Sequence, residues 1–254
     1  MVDIHCHILP GIDDGAVNME ESLEMAKLAV KEGIRTIIAT PHHKNGVYDN
    51  NKTSIVDKVN ELNEALQKES IQVKILPGQE TRIYGEMVED YQNDEILPLN
   101  GGNYLFVELP SSHVPRYTEQ LLFDLQMKGL SPIIVHPERN REIIERPEKL
   151  YQLVKKGALS QVTASSVAGY FGKNIKKFSL QLIDANLTHF VSSDAHNLTR
   201  RSFKMVEALD VIEKKLGMEM VYQLTENSEL LVGGLSVNRD MPERIKRKRF
   251  LGIF

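Results

Sequence analysis

Two kinds of pattern alternate along this chain. Short apolar runs at 34–39, 73–76, 104–108, 132–135, 159–163 and 188–192, bounded by polar or turn residues, read as strands. Between them the spacing is helical. Asn18 with Glu21 three positions on resembles a capping box, opening a helix whose Leu23, Ala26 and Val30 share a face before Gly33 ends it. Ile55, Val59, Leu62 and Leu66 form a second helical stripe, and further helices are predicted near 116–128, 147–156, 174–186 and 200–216. The first residues, Asp3-Ile-His-Cys-His7, alternate as a first strand that puts Asp3, His5 and His7 on one face and Cys6 on the other. Strand then helix, repeated about seven times with no Ser/Gly linker and no internal repeat, predicts one α/β domain built on a parallel sheet.

The strand ends change the picture from sheet to barrel. Thr40-Pro-His42, Pro77-Gly-Gln-Glu80, Phe106-Val-Glu108, Ile134-Val-His136 and Ser193-Asp-Ala-His196 each finish a strand-like stretch with a residue able to bind a metal. An open doubly wound sheet brings fewer strand ends to one point, so this distribution favours closure, with the site on the C-terminal face. The candidate metal ligands are His5, His7, Asp14, His42, Glu80, Glu108, His136, Asp194 and His196. Imidazole and carboxylate without thiolate suit Mn²⁺, Fe²⁺ or Zn²⁺. Four carboxylates facing one cavity repel, at roughly 4 kcal/mol for a pair about 4 Å apart at an effective dielectric near 20, unless cations neutralise them. Three divalent ions would leave a net charge of about +2, attractive to a phosphate dianion. Asp3 either orients an imidazole or makes a structural hydrogen bond; His43, His113 and His189 lack a ligand context.

Composition narrows the class. No apolar run approaches the roughly 20 residues of a membrane span, and ligand chemistry stands where a signal peptide would show a basic then apolar pattern, so a cytoplasmic protein is expected. The single cysteine, Cys6, reads as buried strand filler, which argues against a cysteine phosphatase. The net charge of −4 speaks against a general nucleic-acid binder. It is uneven: residues 239–254 hold six Lys or Arg (Arg239, Arg244, Lys246, Arg247, Lys248, Arg249) against Asp240 and Glu243. We therefore divide the chain into a barrel domain at 1–235 and a basic tail at 236–254, which is either solvated or docks on an acidic surface. The long polar loop after His42 is either a lid over the site or a plain solvent loop.

Several stretches together carry a family resemblance. Asp3-Ile-His-Cys-His-Ile-Leu-Pro-Gly-Ile-Asp-Asp-Gly15, Thr40-Pro-His-His43, Pro77-Gly-Gln-Glu80, Phe106-Val-Glu108, Val135-His-Pro-Glu-Arg139 and Ser193-Asp-Ala-His-Asn-Leu-Thr-Arg-Arg201 resemble the PHP superfamily of polymerase and histidinol phosphatase phosphoesterases. In particular the chain is similar to bacterial manganese-dependent tyrosine-protein phosphatases of the CpsB/CapC/YwqE type, from capsule and exopolysaccharide clusters. The resemblance covers nearly the whole chain. It implies a distorted (β/α)7 TIM-like barrel of the PHP fold, with three divalent ions, most characteristically Mn²⁺. By similarity His5, His7, Glu80 and Asp194 would hold one, Glu80, Glu108 and His136 a second, and Asp14, His42 and His196 a third, with Arg139 and Arg201 binding phosphate.

The expected reaction is hydrolysis of phosphotyrosine by a metal-bound hydroxide, without a covalent phosphoenzyme. The resemblance implies a bacterial tyrosine autokinase and its targets as protein substrates. Alternatives are a PHP phosphatase of a small metabolite such as histidinol phosphate, an amidohydrolase-type enzyme, and a non-catalytic kinase-docking regulator. A nucleic-acid partner and a membrane span are not expected, and the sequence leaves the oligomeric state open.

Overall fold

A computed structural model of the chain describes residues 1–245. In chain order the elements are β1 (Val2–Cys6), α1 (Met19–Lys31), β2 (Thr36–Ala39), β3 (His42–His43), α2 (Lys52–Lys68), β4 (Lys74–Pro77), β5 (Glu80–Arg82), α3 (Met87–Gln92), β6 (Tyr104–Glu108), α4 (Thr118–Met127), β7 (Ser131–Val135), α5 (Arg141–Glu145), α6 (Glu148–Lys155), β8 (Leu159–Thr163), α7 (Ala164–Ala168), α8 (Lys173–Asp184), β9 (Phe190–Ser192), α9 (Met205–Leu216) and α10 (Met218–Val232).

All ladders are parallel, in the orders β1-β2-β4 and β3-β5-β6-β7-β8-β9. Pro41 interrupts one strand between β2 and β3, since proline offers no N–H to a ladder, and Gly78-Gln79, just past Pro77, interrupts the next between β4 and β5. Counting each broken pair once leaves seven staves among the described residues. The last meets the first: the His7 N–H donates to the Ala195 carbonyl at 2.8 Å and the Asp194 N–H to the His5 carbonyl at 2.9 Å. The ring of seven staves closes as the TIM-like barrel the sequence predicted.

Inward residues of successive strands, among them Ile4, Ile38, Leu76, Phe106, Ile133 and Phe190, form one interior core. Their neighbours Ile37, Leu105, Ile134 and Val191 face out, under the helices. In β1 the alternation is broken. Asp3 pairs with Ile37 and Cys6 with Ala39, so one extra residue bulges from β1. Ile4 therefore packs inside although His5 and His7 also point inward, and Asp3 is displaced to the seam. There its carboxylate accepts from the Ser193 N–H (2.9 Å) and hydroxyl (2.5 Å). The expectation that Asp3 shares a face with the two histidines is thus corrected, and its role is the structural hydrogen bond.

Helices follow their spacing with small shifts. In α1 the buried stripe is Ser22, Met25, Ala26 and Ala29, leaving Leu23 and Val30 at its edges, while α2 buries Ile55, Val59, Leu62 and Leu66 as predicted. The Asn18 cap accepts from the Glu21 N–H at 2.9 Å, but Glu21 returns its bond to the Val17 N–H. The last barrel helix, α9, begins at Met205 rather than near 200. Asn197 folds the intervening residues into a turn by accepting from the Thr199 and Arg201 N–H groups, and the Glu32 carboxylate caps the helix at Met205 (2.7 Å).

Helix α10 plugs the open lower end, burying Leu231 in the interior core beside Val237. The Tyr104 hydroxyl donates to the Leu235 carbonyl (2.7 Å) and accepts from the Val237 N–H (3.2 Å). Packing thus continues past residue 235, where the basic tail was drawn; Arg244 pairs with Glu148 at 2.9 Å, and residues 246–254 of that tail lie outside the described residues.

Candidate metal centre

The nine candidate ligands gather at the upper end of the barrel. His5 is in β1 and His7 just past it, His42 opens β3, Glu80 opens β5 and Glu108 ends β6. His136 follows β7, and Asp194 and His196 follow β9. His136 (φ 36) and Asp194 (φ 53) sit in the left-handed region, a conformation costing of order 1–3 kcal/mol at a non-glycine residue. The Asp13-Asp14-Gly15 turn folds over His7 so closely that a Cβ on Gly15 would lie 2.0 Å from the His7 carbonyl oxygen.

The donor atoms form three overlapping groups: His5, His7 and Glu80; His42, Glu80 and Glu108; and His7, Asp14, His42 and His196. Asp194 stands beside the two histidines of the first. His5 Nε2 lies 3.4 Å from His7 Nε2, 3.5 Å from Glu80 Oε2 and 3.4 Å from Asp194 Oδ1, and His7 Nε2 lies 3.2 and 3.5 Å from the same two oxygens. These five separations of 3.2–3.5 Å are short enough for the atoms to share a small cation. Around the second group, His136 Nε2 is 2.7 Å from Glu80 Oε1 and His42 Nδ1 is 3.8 Å from Glu108 Oε2. In the third, Asp14 Oδ1 is 3.4 Å from both His42 Nε2 and His196 Nε2.

Three imidazoles are locked from behind. His7 Nδ1 donates to Asp13 Oδ2 at 2.6 Å, His5 Nδ1 to Gln161 Oε1 at 3.0 Å and His196 Nδ1 to the Asp194 carbonyl at 2.9 Å. In the neutral ring each bond fixes a tautomer whose other nitrogen turns its lone pair into the cluster, as metal-binding histidines require. Without cations, and against the pull of burial, the neighbouring carboxylates, Asp13 first, hold His7 well above the usual imidazole range. Asp13 and Gln161 were not singled out from the sequence. Asp13 stands beside the candidate Asp14 in the same motif, and the one clue to Gln161 is a polar residue inside an otherwise apolar strand row.

Electrostatics favour cations here. Burial and the charge of Glu80 push the Glu108 carboxyl up to about 7, although Arg82 binds it at 2.9 Å. Burial opposes ionisation of Glu80 too, yet His42, His5 and His136 together hold it well below the usual carboxylate range. Burial, then the Arg139 guanidinium, lowers His136 to about 4, and burial with His7 does the same to His196. Both are held neutral, the form that coordinates. His196 Nε2 is buried without a hydrogen bond, and His42 Nδ1 and Glu80 Oε2, 2.9 Å apart, have only each other as an ion contact; coordination would satisfy all three. The residues present fit divalent ions.

Arg139 and Arg201 flank the mouth. Arg139 Nη2 contacts Asp194 Oδ2 at 2.7 Å, and Arg201 reaches both Asp14 and Asp194 at 3.3 Å. A cavity of about 240 Å³ opens beside Arg139, lined also by Glu108 and His136. The polar loop after His42 is pinned against the site. Asn50 donates to the Ile12 and His42 carbonyls, both at 2.9 Å, and Tyr48 lies parallel to the His42 ring. The histidines without a ligand context stay outside the cluster: His43 pairs with Asp49, His113 with Ser112, and His189 is buried near the barrel floor. Cys6 is buried on the outward face.

The family described as "Capsular polysaccharide synthesis, CpsB/CapC" matches residues 1–232. "Tyrosine-protein phosphatase YwqE" of Bacillus subtilis (strain 168) is 55% identical over 254 residues, all of both chains. "Putative tyrosine-protein phosphatase CapC" of Staphylococcus aureus is 39% identical, again over the full length of both. A solved structure from a study of YwqE of Bacillus subtilis and CpsB of Streptococcus pneumoniae, called there unique metal-dependent tyrosine phosphatases, superposes with a TM-score of 0.95 at 55% identity. It covers 97% of this chain and 100% of that one.

Proposed function

This chain belongs to the CpsB/CapC capsular polysaccharide synthesis family, and from that premise we propose that it is a metal-dependent protein-tyrosine phosphatase. The observation that carries the reading is the set of converging imidazole and carboxylate donors, locked from behind by Asp13 and Gln161 and flanked by two arginines. Three divalent ions, Mn²⁺ by preference, would be held by His5, His7, Glu80 and Asp194; by Glu80, Glu108 and His136; and by Asp14, His42 and His196. The donor spacing also brings His7 near the third set and His42 near the second. Such ions, when bound, supply Lewis-acid charge to phosphoryl oxygens and lower the pKa of a water near neutrality.

The chain's own groups do the rest. Arg139 and Arg201, each already on Asp194 at the mouth, turn their remaining N–H donors to the phosphoryl oxygens and stabilise charge that grows in the transition state. The tyrosinate leaving group, with a solution pKa near 10, needs less protonation than an alkoxide would. Cys6, fully buried, is no nucleophile, which sets aside a cysteinyl-phosphate intermediate.

The substrates we infer are phosphotyrosine proteins of the cytoplasm, foremost a tyrosine autokinase and its targets in capsule or exopolysaccharide synthesis. The names of the family and of the relatives support the phosphotyrosine chemistry and the link to capsule synthesis. No helix among the described residues is long and apolar enough to cross a membrane. Phosphate release from a phosphotyrosine peptide, measured after chelation and again after adding Mn²⁺, tests the reading with His136→Ala as control. Release restored in the wild type and absent in the variant is expected. No release despite bound metal overturns it.

A further inference from the structure

Phe171 is an exposed aromatic residue with nothing in the core to explain it. It lies in the turn between α7 and α8, on the upper face of the barrel, and is 40% exposed. The turn is firmly held. Gly169 (φ 106) and Gly172 (φ 94) bracket it, the Tyr170 N–H donates to the Ser165 carbonyl at 2.9 Å, and the Tyr170 hydroxyl donates to Glu207 at 3.0 Å. Tyr170 is thereby tied towards α9, with Lys204 over its ring at 4.7 Å, while the Phe171 ring is turned to Arg139. The Arg139 guanidinium carbon stands 5.6 Å from the Phe171 ring centroid, and the same guanidinium touches Asp194 at 2.7 Å. Arg139 thus joins the donor cluster to an aromatic wall, and a group bonded through a single oxygen to a phosphoryl held by Arg139 comes level with that wall.

We propose that Phe171 is the specificity-determining residue for aryl phosphates: its exposed ring packs against the phenyl ring of phosphotyrosine while Arg139 and Arg201 hold the phosphoryl group. This rests on the phosphatase reading for the identity of the site. A phenyl ring meets Phe171 through offset or edge contacts, and an alkyl phosphate has no face to offer. The wall discriminates by what is attached to phosphorus and leaves the phosphoryl contacts unchanged.

The test is calorimetric binding of phenylphosphonate and methylphosphonate, identical at phosphorus, to the Mn²⁺-loaded full chain. In Phe171→Leu, which keeps apolar bulk and loses the ring, the Kd for phenylphosphonate rises about five-fold, as expected from one aromatic pair, while that for methylphosphonate stays within about two-fold. Phe171→Tyr restores the preference. Equal weakening of both ligands would mean that Phe171 only props Arg139, and it overturns the proposal, as do unchanged affinities or a wild type that binds neither. Phosphate release by the wild type from a phosphotyrosine peptide is read separately. Its absence beside an intact phenyl preference sinks the phosphatase reading and leaves the aryl wall standing.

Discussion

The two ends of the barrel are built from the same strands and obey opposite rules. Along the inward row of β6, Tyr104 and Phe106 are followed by Glu108, and along β8 Leu159 is followed by Gln161 and Thr163. The lower end is apolar, closed by Leu231 and Val237, and the buried Asn227 amide is used there, donating to the His189 carbonyl at 3.0 Å. The upper end buries ionisable groups that compete for each other, leaves donor atoms without hydrogen bonds and keeps two candidate ligands at positive φ. Stability resides below and reactivity above, and the lower core holds rigid a cluster that could not hold itself.

Changes at the two ends should separate these properties. The largest effect is expected at Glu80, the residue shared between donor sets. Glu80→Gln should lower phosphatase activity by about a thousand-fold or more, roughly 4 kcal/mol of transition-state stabilisation. The same change takes away the carboxylate that His42 pairs with at 2.9 Å, so in the chelated protein it should also cost about 3 kcal/mol of stability. Steady-state kinetics and urea unfolding read the two halves. At the lower end, Leu231→Ala should cost about 2–5 kcal/mol in urea unfolding, with activity per folded molecule within about two-fold of wild type. A Leu231 variant that stays stable but loses activity would break the comparison.

His189 gives the lower end a pH signature. Burial lowers it to about 4, and its neutral Nδ1 accepts the Ser160 N–H at 3.2 Å. The unfolded chain takes up this proton below about 6.5 and the folded one only near 4, so stability falls as pH drops across that window, by at most about 3 kcal/mol. His189→Gln should flatten this part of the stability–pH curve, and an unchanged slope would remove His189 from the account. Smaller still, Asp13→Asn should weaken Mn²⁺ binding about 10- to 100-fold with little change in melting temperature, seen by metal titration.

Much of this was legible in the chain because it is local. The stripe Ile55, Val59, Leu62 and Leu66 needs only helical spacing, and a ligand-type residue at each strand end needs only the run before it. What was not legible depends on partners distant in sequence. The extra residue in β1 exists only relative to β2, so Asp3 was placed on the wrong face. Gln161 acquires its role from His5, 156 positions away, and α10 becomes a plug only against Tyr104 and Val237. The late start of α9 follows from a side-chain turn at Asn197 that apolar periodicity does not report.

The most direct test of the central claim is anomalous diffraction at the manganese edge from crystals grown with Mn²⁺. The account predicts three peaks at the upper end of the barrel, one within each donor set, with Glu80 touching two of them. Peaks confined to other surfaces, or none among His5, His7, Glu80 and Asp194, would contradict it.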